Sequence, residues 1–104
     1  MDIYQRAAEK ITKIENELKK LGRWQATPLP AEKFENMGAF GINTMALEQW
    51  LQFVLIPRVN DIVQTRGDFP KGSAVGVYAI RNLDGDPEAE GLLHLLIEFD
   101  ALFN

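Results

Sequence analysis

The sequence predicts an all-α protein, a four-helix bundle with a kinked and buried central helix. Three observations carry this. Apolar residues recur in steps of three and four near the start of the chain, the spacing of one helix face. A second stretch, 45–66, is apolar almost all round at its centre and contains Pro57. A third opens on Asp86-Pro87 and closes near Phe103, beginning with the residue types that start helices. Short connections between such segments are those of an α-helical bundle.

The first helix spans residues 2–21. Ile3, Ala7, Ile11, Ile14, Leu18 and Leu21 form one narrow stripe, the pattern of a helix packed on the side of a bundle. Self-association through that stripe is the alternative. Glu9 precedes Lys13, and Glu15 precedes Lys19, by four residues, the favourable order for surface pairs. Gly22 stands where a left-handed cap belongs. Residues 23–43 read as loop, because Pro28 and Pro30 push their predecessors out of the helical region. Pro30 can open a helical turn over 31–36, and Gly38 and Gly41 punctuate the approach to the next element.

The central helix is expected over 45–66, with Thr44 or Asn43 as N-cap and Gly67 as its stop. Its segment Trp50–Ile56 is broken only by Gln52, and a helix apolar all round is one covered by neighbours. Pro57 removes an amide donor and frees the carbonyl of Phe53, so the helix should kink there. Asp68-Phe69-Pro70-Lys71-Gly72 reads as a turn. Val75, Val77 and Ala79 alternate as in a strand, but a lone strand has no pairing partner, and a short helix near 76–83 is preferred. Asp86 then caps a last helix with Pro87 in its first position and Glu88 and Glu90 in the first turn.

Composition narrows the function. The chain has 104 residues, which fits one domain over 1–104. There is no cysteine, which excludes disulfide scaffolds, thiolate metal sites and cysteine nucleophiles. One histidine excludes a multi-histidine zinc site. The start lacks the apolar core of a secretory signal and no stretch is long enough to span a membrane, so the expected compartment is the cytoplasm. Net charge is −4, unevenly spread: residues 1–33 hold seven positive and five negative charges, residues 84–104 six negative and none positive. Phosphate neutralisation needs a basic surface, so this balance weighs against direct nucleic-acid binding. No phosphate-binding loop, dinucleotide fingerprint, nucleophile elbow or zinc-protease motif occurs. No cofactor and no metal are expected.

Four residues stand out as a candidate polar and aromatic binding cluster: Arg58, Asp100, Trp50 and Trp24. On a helical wheel Asp100 falls between the directions of Ala89 and Leu93, inside the apolar arc of the last helix. Arg58 falls in the arc of Leu47, Leu51, Val54 and Ile62. A buried charge must be paired or hydrogen-bonded. Both are therefore expected to be buried, each meeting the other or satisfying a backbone end, with Arg58 gripping Asp100 first and Asp61 second. A structural ion pair is the reading favoured over a polar active site. Trp24, Trp50, Phe34, Phe40, Phe53, Phe69 and Tyr78 could line a pocket, although aromatics at this density usually build core. His94 shares a face with Glu90 and Glu98, but that face points away from the leucines and reads as solvated. Arg6, Lys10, Lys13 and Lys20 form a basic stripe interrupted by Glu9 and Glu17, again a solvated face.

The run Thr44-Met45-Ala46-Leu47-Glu48-Gln49-Trp50-Leu51-Gln52-Phe53-Val54-Leu55-Ile56-Pro57-Arg58 resembles the signature of the YqcC-like family of small bacterial proteins. Trp24 and the ending Asp100-Ala101-Leu102-Phe103 are similar too, so the resemblance covers essentially the whole chain. Phe53 stands where a relative has a second tryptophan. The resemblance implies a four-helix fold and no established activity. The family is often labelled after tRNA pseudouridine synthase C, whose gene tends to lie beside it. Those synthases have a large mixed α/β catalytic domain with a nucleophilic aspartate, and this chain carries no matching motif. The expected role is a non-catalytic binding or accessory protein, with a protein partner in tRNA modification, acting as a monomer or weak homodimer. The competing role is an enzyme: a tRNA-uridine isomerase, or a small-molecule enzyme with its site in a bundle pocket.

Overall fold

The structure, a computed structural model, describes residues 2–35, 45–69 and 72–103. Helix α1 runs over Ile3–Lys20. Asp2 accepts from the Gln5 amide at 2.8 Å, and the Gln5 side chain accepts from the Asp2 amide at 3.2 Å, a reciprocal cap that satisfies two amides a helix start leaves open. At the other end Gly22 takes the left-handed conformation, φ 72°. It donates to Lys19 O, and Arg23 donates to Leu18 O at 2.8 Å, so the expected glycine cap is a complete two-bond motif. Ala7, Ile11, Ile14 and Leu18 are buried where α1 packs across α3 (Ile56–Thr65) and α5 (Glu90–Ala101). The stripe offered for self-association is thus covered within the fold.

A single 3₁₀ turn, Ala31–Phe34, fills the region predicted as a helical turn. Thr44 and Asn43, proposed as caps, lie outside the described residues, as do Gly38, Phe40, Gly41, Pro70 and Lys71. The central helix begins as α2, Leu47–Trp50, where Gln49 reaches back to the Ala46 amide at 2.9 Å. It then widens into a π turn, Leu51–Leu55, before α3. There the Ile56 amide donates to Leu51 O, five residues back. Pro57 accounts for this position: its ring clashes with a carbonyl one turn earlier and it offers no N–H, so a turn with one more residue relieves both.

The π turn has a large consequence for side-chain direction. One extra residue rotates everything after it by about 100° relative to a regular helix. Val59 swings into the core beside Leu47 and Leu51, all buried. Arg58 moves to the flank, on the side of Trp50. The expectation of a buried Arg58 is therefore wrong: the residue is exposed and forms no ion pair among the described residues, with Asp100 or with Asp61. The stop of α3 also differs. Arg66, not Gly67, is left-handed, φ 52°, and both their amides converge on Ile62 O. Arg66 is held there by Asp2 at 2.8 Å and by stacking 4.6 Å over the Tyr4 ring. The Tyr4 hydroxyl shares its proton between Gly67 O at 2.9 Å and Arg66 O at 3.0 Å.

The short helix expected at 76–83 is α4, Val75–Asn82. The last helix starts as a 3₁₀ turn, Pro87–Ala89, and continues as α5. Asp86 makes no side-chain cap. Its carboxylate instead meets Arg23 at 2.6 Å, and Arg23 also reaches Glu48 at 3.4 Å. The Asp86 hydrogen bond raises the Arg23 pKa above its ordinary value. Three segments are tied here: the end of α1, the start of the central helix and the approach to α5.

Asp100 is buried as expected, 7% exposed, but its partners are backbone. From within α5 its carboxylate accepts from the Gly76 amide at 2.7 Å, from the Val75 amide at 3.1 Å and from the Ser73 hydroxyl. A helix start exposes unpaired amides, and here a neighbouring helix supplies the cap that α4's own N-cap residue, Ala74, cannot. Gly76 makes the approach feasible. A Cβ at that position would lie 2.9 Å from Asp100 Oδ2 and 3.0 Å from the Ile97 Cα.

Gln52, the one polar break in the apolar run, is buried on the π turn. Its amide oxygen accepts from the Gln25 amide at 2.8 Å and its amide nitrogen donates to Gln25 O at 2.7 Å. One side chain thus pairs with one backbone residue as a strand neighbour would, fastening the segment after α1. At the opposite side Lys10 meets Glu98 at 2.5 Å, a contact that holds the Glu98 carboxyl below the usual glutamate range.

Three outcomes are expected. Asp100→Leu strands two buried amides and lowers stability by about 2–5 kcal/mol, whereas Arg58→Met changes it by less than about 0.5 kcal/mol; urea midpoints measure both, and the double variant shows no rescue. Gln52→Ala accelerates hydrogen exchange at the Gln25 amide while leaving exchange in α5 unchanged. The Lys10–Glu98 pair stabilises fully above the ordinary glutamate range and is lost as pH falls through the lowered value; carbon NMR titration of Glu98 shifts its midpoint upward in Lys10→Met.

Candidate functional site

The central helix, past its π turn, borders a cavity of about 420 Å³, within the range of small-molecule sites. Three parts of the chain build it. The central helix contributes Trp50, Leu55, Arg58, Val59 and Ile62, the connection to α4 contributes Phe69 and Gly72 to Ala74, and the end of α5 contributes Phe99 and Phe103. The parts are locked together. Gly72 donates to Phe103 O at 3.2 Å. Phe69 lies 4.8 Å and Phe99 5.0 Å from the Phe103 ring, distances at which tilted rings attract. Asp100 stands behind this wall and, through Ser73, Val75 and Gly76, sets its position.

Of the four candidate cluster residues, the cavity brings Trp50 and Arg58 together. Asp100 supports the wall from behind and does not line the space. Trp24 is elsewhere: it packs half-buried against the core, with the Lys19 ammonium 5.1 Å from its ring centre. Phe69 was among the aromatics singled out by sequence. Ser73, Phe99 and Phe103 line the cavity without any local sequence signal, because only tertiary packing brings residues 99–103 to residues 69–74.

Among the described lining residues of the cavity Arg58 alone is charged, and none is a carboxylate, histidine, lysine or cysteine. The Ser73 hydroxyl donates to Asp100. Asp100 itself divides its oxygens among three donors, the use of a structural cap and not of a nucleophile. His94 is exposed, its neighbour Glu98 is engaged by Lys10, and no metal-holding group of three or more ligands occurs among the described residues. Nor is any described helix long and apolar enough to cross a membrane.

A second feature lies on the outer face of α4 and α5. Val77, Ile80 and Ile97 are 64%, 51% and 44% exposed. The helices approach closely where Gly76 meets Ile97. One turn further on, Ile80 and Leu93 share a shallow depression of about 390 Å³ with Asp84 and Glu90. The result is an apolar strip ending in an acidic collar. Asp84, Glu88 and Glu90 form no ion pair among the described residues.

Comparison with known proteins agrees with this architecture. Residues 6–102 match a family model described as tRNA pseudouridine synthase C. The YqcC protein of Escherichia coli is 30% identical over 104 residues, covering 99% of this chain and 95% of its own. A Haemophilus influenzae protein named only "Uncharacterized protein" is 32% identical over 87 residues, 84% of this chain and 82% of its own. The solution structure of E. coli YqcC superposes with a TM-score of 0.88 at 30% identity, over 99% of this chain and 89% of that one. A protein of Pectobacterium carotovorum named tRNA pseudouridine synthase C is 33% identical over 58 residues, which are 56% of this chain but 15% of that protein. Fold and sequence therefore agree, and the chain belongs to the YqcC-like family.

Proposed function

We propose that this chain is a non-catalytic binding protein that assists tRNA modification by docking on a pseudouridine synthase. The observation that carries the proposal is the Pectobacterium protein, in which a stretch resembling this chain forms 15% of a polypeptide named tRNA pseudouridine synthase C. A shared polypeptide raises the effective concentration of one module at the other to roughly the millimolar range, an advantage to modules that work together. The strip of Val77, Ile80 and Ile97 supports the reading, because an exposed apolar patch beside polar residues is the mark of a protein contact. So does its acidic collar. An enzyme that handles tRNA presents basic surface to phosphate, and a basic flank would complement Asp84, Glu88 and Glu90. Catalysis by the chain itself is disfavoured by Asp100, whose oxygens are committed to α4.

Purified chain and purified tRNA pseudouridine synthase C from the same genome test this by calorimetry. A complex is expected, with affinity falling at least about tenfold, or roughly 1.4 kcal/mol, in the double variant Ile80→Glu, Ile97→Glu. Tritium release from uridine-labelled tRNA by the chain alone should equal buffer. The proposal fails if no heat of binding appears at about 100 μM of each protein, or if the isolated chain releases tritium.

A further inference from the structure

We propose that the cavity beside the central helix is a binding site for a small organic acid, a carboxylate joined to an apolar or aromatic body, with the carboxylate on Arg58. Three features converge on that class. The walls are mainly apolar, with Trp50, Phe69, Phe99 and Phe103 among the lining residues, a setting for a hydrocarbon or aromatic body. Water gains little in such a space, since ordered water needs two to four polar partners.

Among the described lining residues one guanidinium stands at the mouth. Arg58 is exposed and has no carboxylate partner among the described residues. Its planar fork matches a carboxylate with two parallel bonds, and it is less strongly hydrated than an ammonium. An arginine side chain carries its charge constantly in proteins. A residue kept charged at the edge of an otherwise apolar space selects a ligand with one charged end and one apolar end.

A phosphate is the competing anion, and the geometry disfavours it. A phosphate draws on several donors, commonly the amides at a helix start. At the start of α4 the Val75 and Gly76 amides are already bonded to Asp100, and the Gly72 amide is bonded to Phe103 O. Arg58 is the one charged donor on the described walls, enough for a monoanion.

The site is separate from the α4–α5 strip, so the two proposals stand or fall independently. The test uses the ¹⁵N-labelled full chain and its two tryptophan indole resonances. Trp50 lines the cavity, and Trp24, which does not, is the internal control. The probes are 3-phenylpropionate and octanoate, against 3-phenylpropanamide and phenyl phosphate. Saturable movement of the Trp50 indole resonance by at least one carboxylate is expected, with Trp24 unmoved. Arg58→Met should weaken that binding about tenfold, and the amide and the phosphate should bind several-fold more weakly than the carboxylate. Arg58→Met is expected to unfold at the wild-type midpoint, so a lost signal reports the site and not the fold. The proposal is overturned if neither carboxylate moves Trp50 up to about 10 mM, if Arg58→Met binds equally well, or if the amide or the phosphate matches the acid. Unaltered calorimetric binding of Arg58→Met to the synthase separates this result from the docking reading.

Discussion

Asp100 holds the start of α4 from inside α5, and the far half of the molecule is arranged around that grip. Eight residues of isolated helix are marginal in water, and α4 has eight. Its stability must come from packing and from a cap, and the cap is a buried carboxylate on another element. The charge is tolerable because three donors surround it, where an unpaired one would cost several kcal/mol. The same three bonds fix Ser73 and Val75, so one side chain both anchors a helix and shapes a cavity wall.

The central helix solves a different problem. A regular helix carrying the apolar residues of 47–63 would let its buried face drift round the axis, and Val59 and Val63 would leave the core line set by Leu47 and Leu51. The π turn at Leu51–Leu55 resets the phase. Pro57, which disrupts the hydrogen-bond ladder anyway, marks where the reset falls. The buried Gln52 sits on this wider turn and turns an interruption into a fastening for the segment after α1. Strain, register and cross-linking are thus handled within seven residues.

Most of the helices are legible in the sequence because periodicity and end signals agree. The α1 stripe, Gly22, α4 and the Asp86-Pro87 start all fall within a few residues of where pattern places them. What fails has specific causes. Arg58 was misplaced because a helical wheel assumes a constant angle per residue, and the π turn breaks that assumption. Asp86 looked like a cap, but Arg23, 63 residues away, competes for its carboxylate. Gly67 looked like the left-handed stop, yet Arg66 adopts that conformation because Asp2 and Tyr4 hold its side chain. Asp100 was correctly placed in the interior, while its partners depend on how two helices cross. The cavity was the least legible feature, being assembled from segments that only tertiary packing unites.

The packing of α1 has a consequence for synthesis on the ribosome. Its buried stripe rests on α3 and α5, and Lys10 finds Glu98 across 88 positions of sequence. Helix α1 therefore emerges before both of the helices that cover it. At about 5–20 residues per second, several seconds pass between the emergence of Ile11 and that of Leu96. Until α5 follows α3 into place, the apolar face of this amphipathic helix stays incompletely covered, a natural client for a chaperone that waits at the exit tunnel.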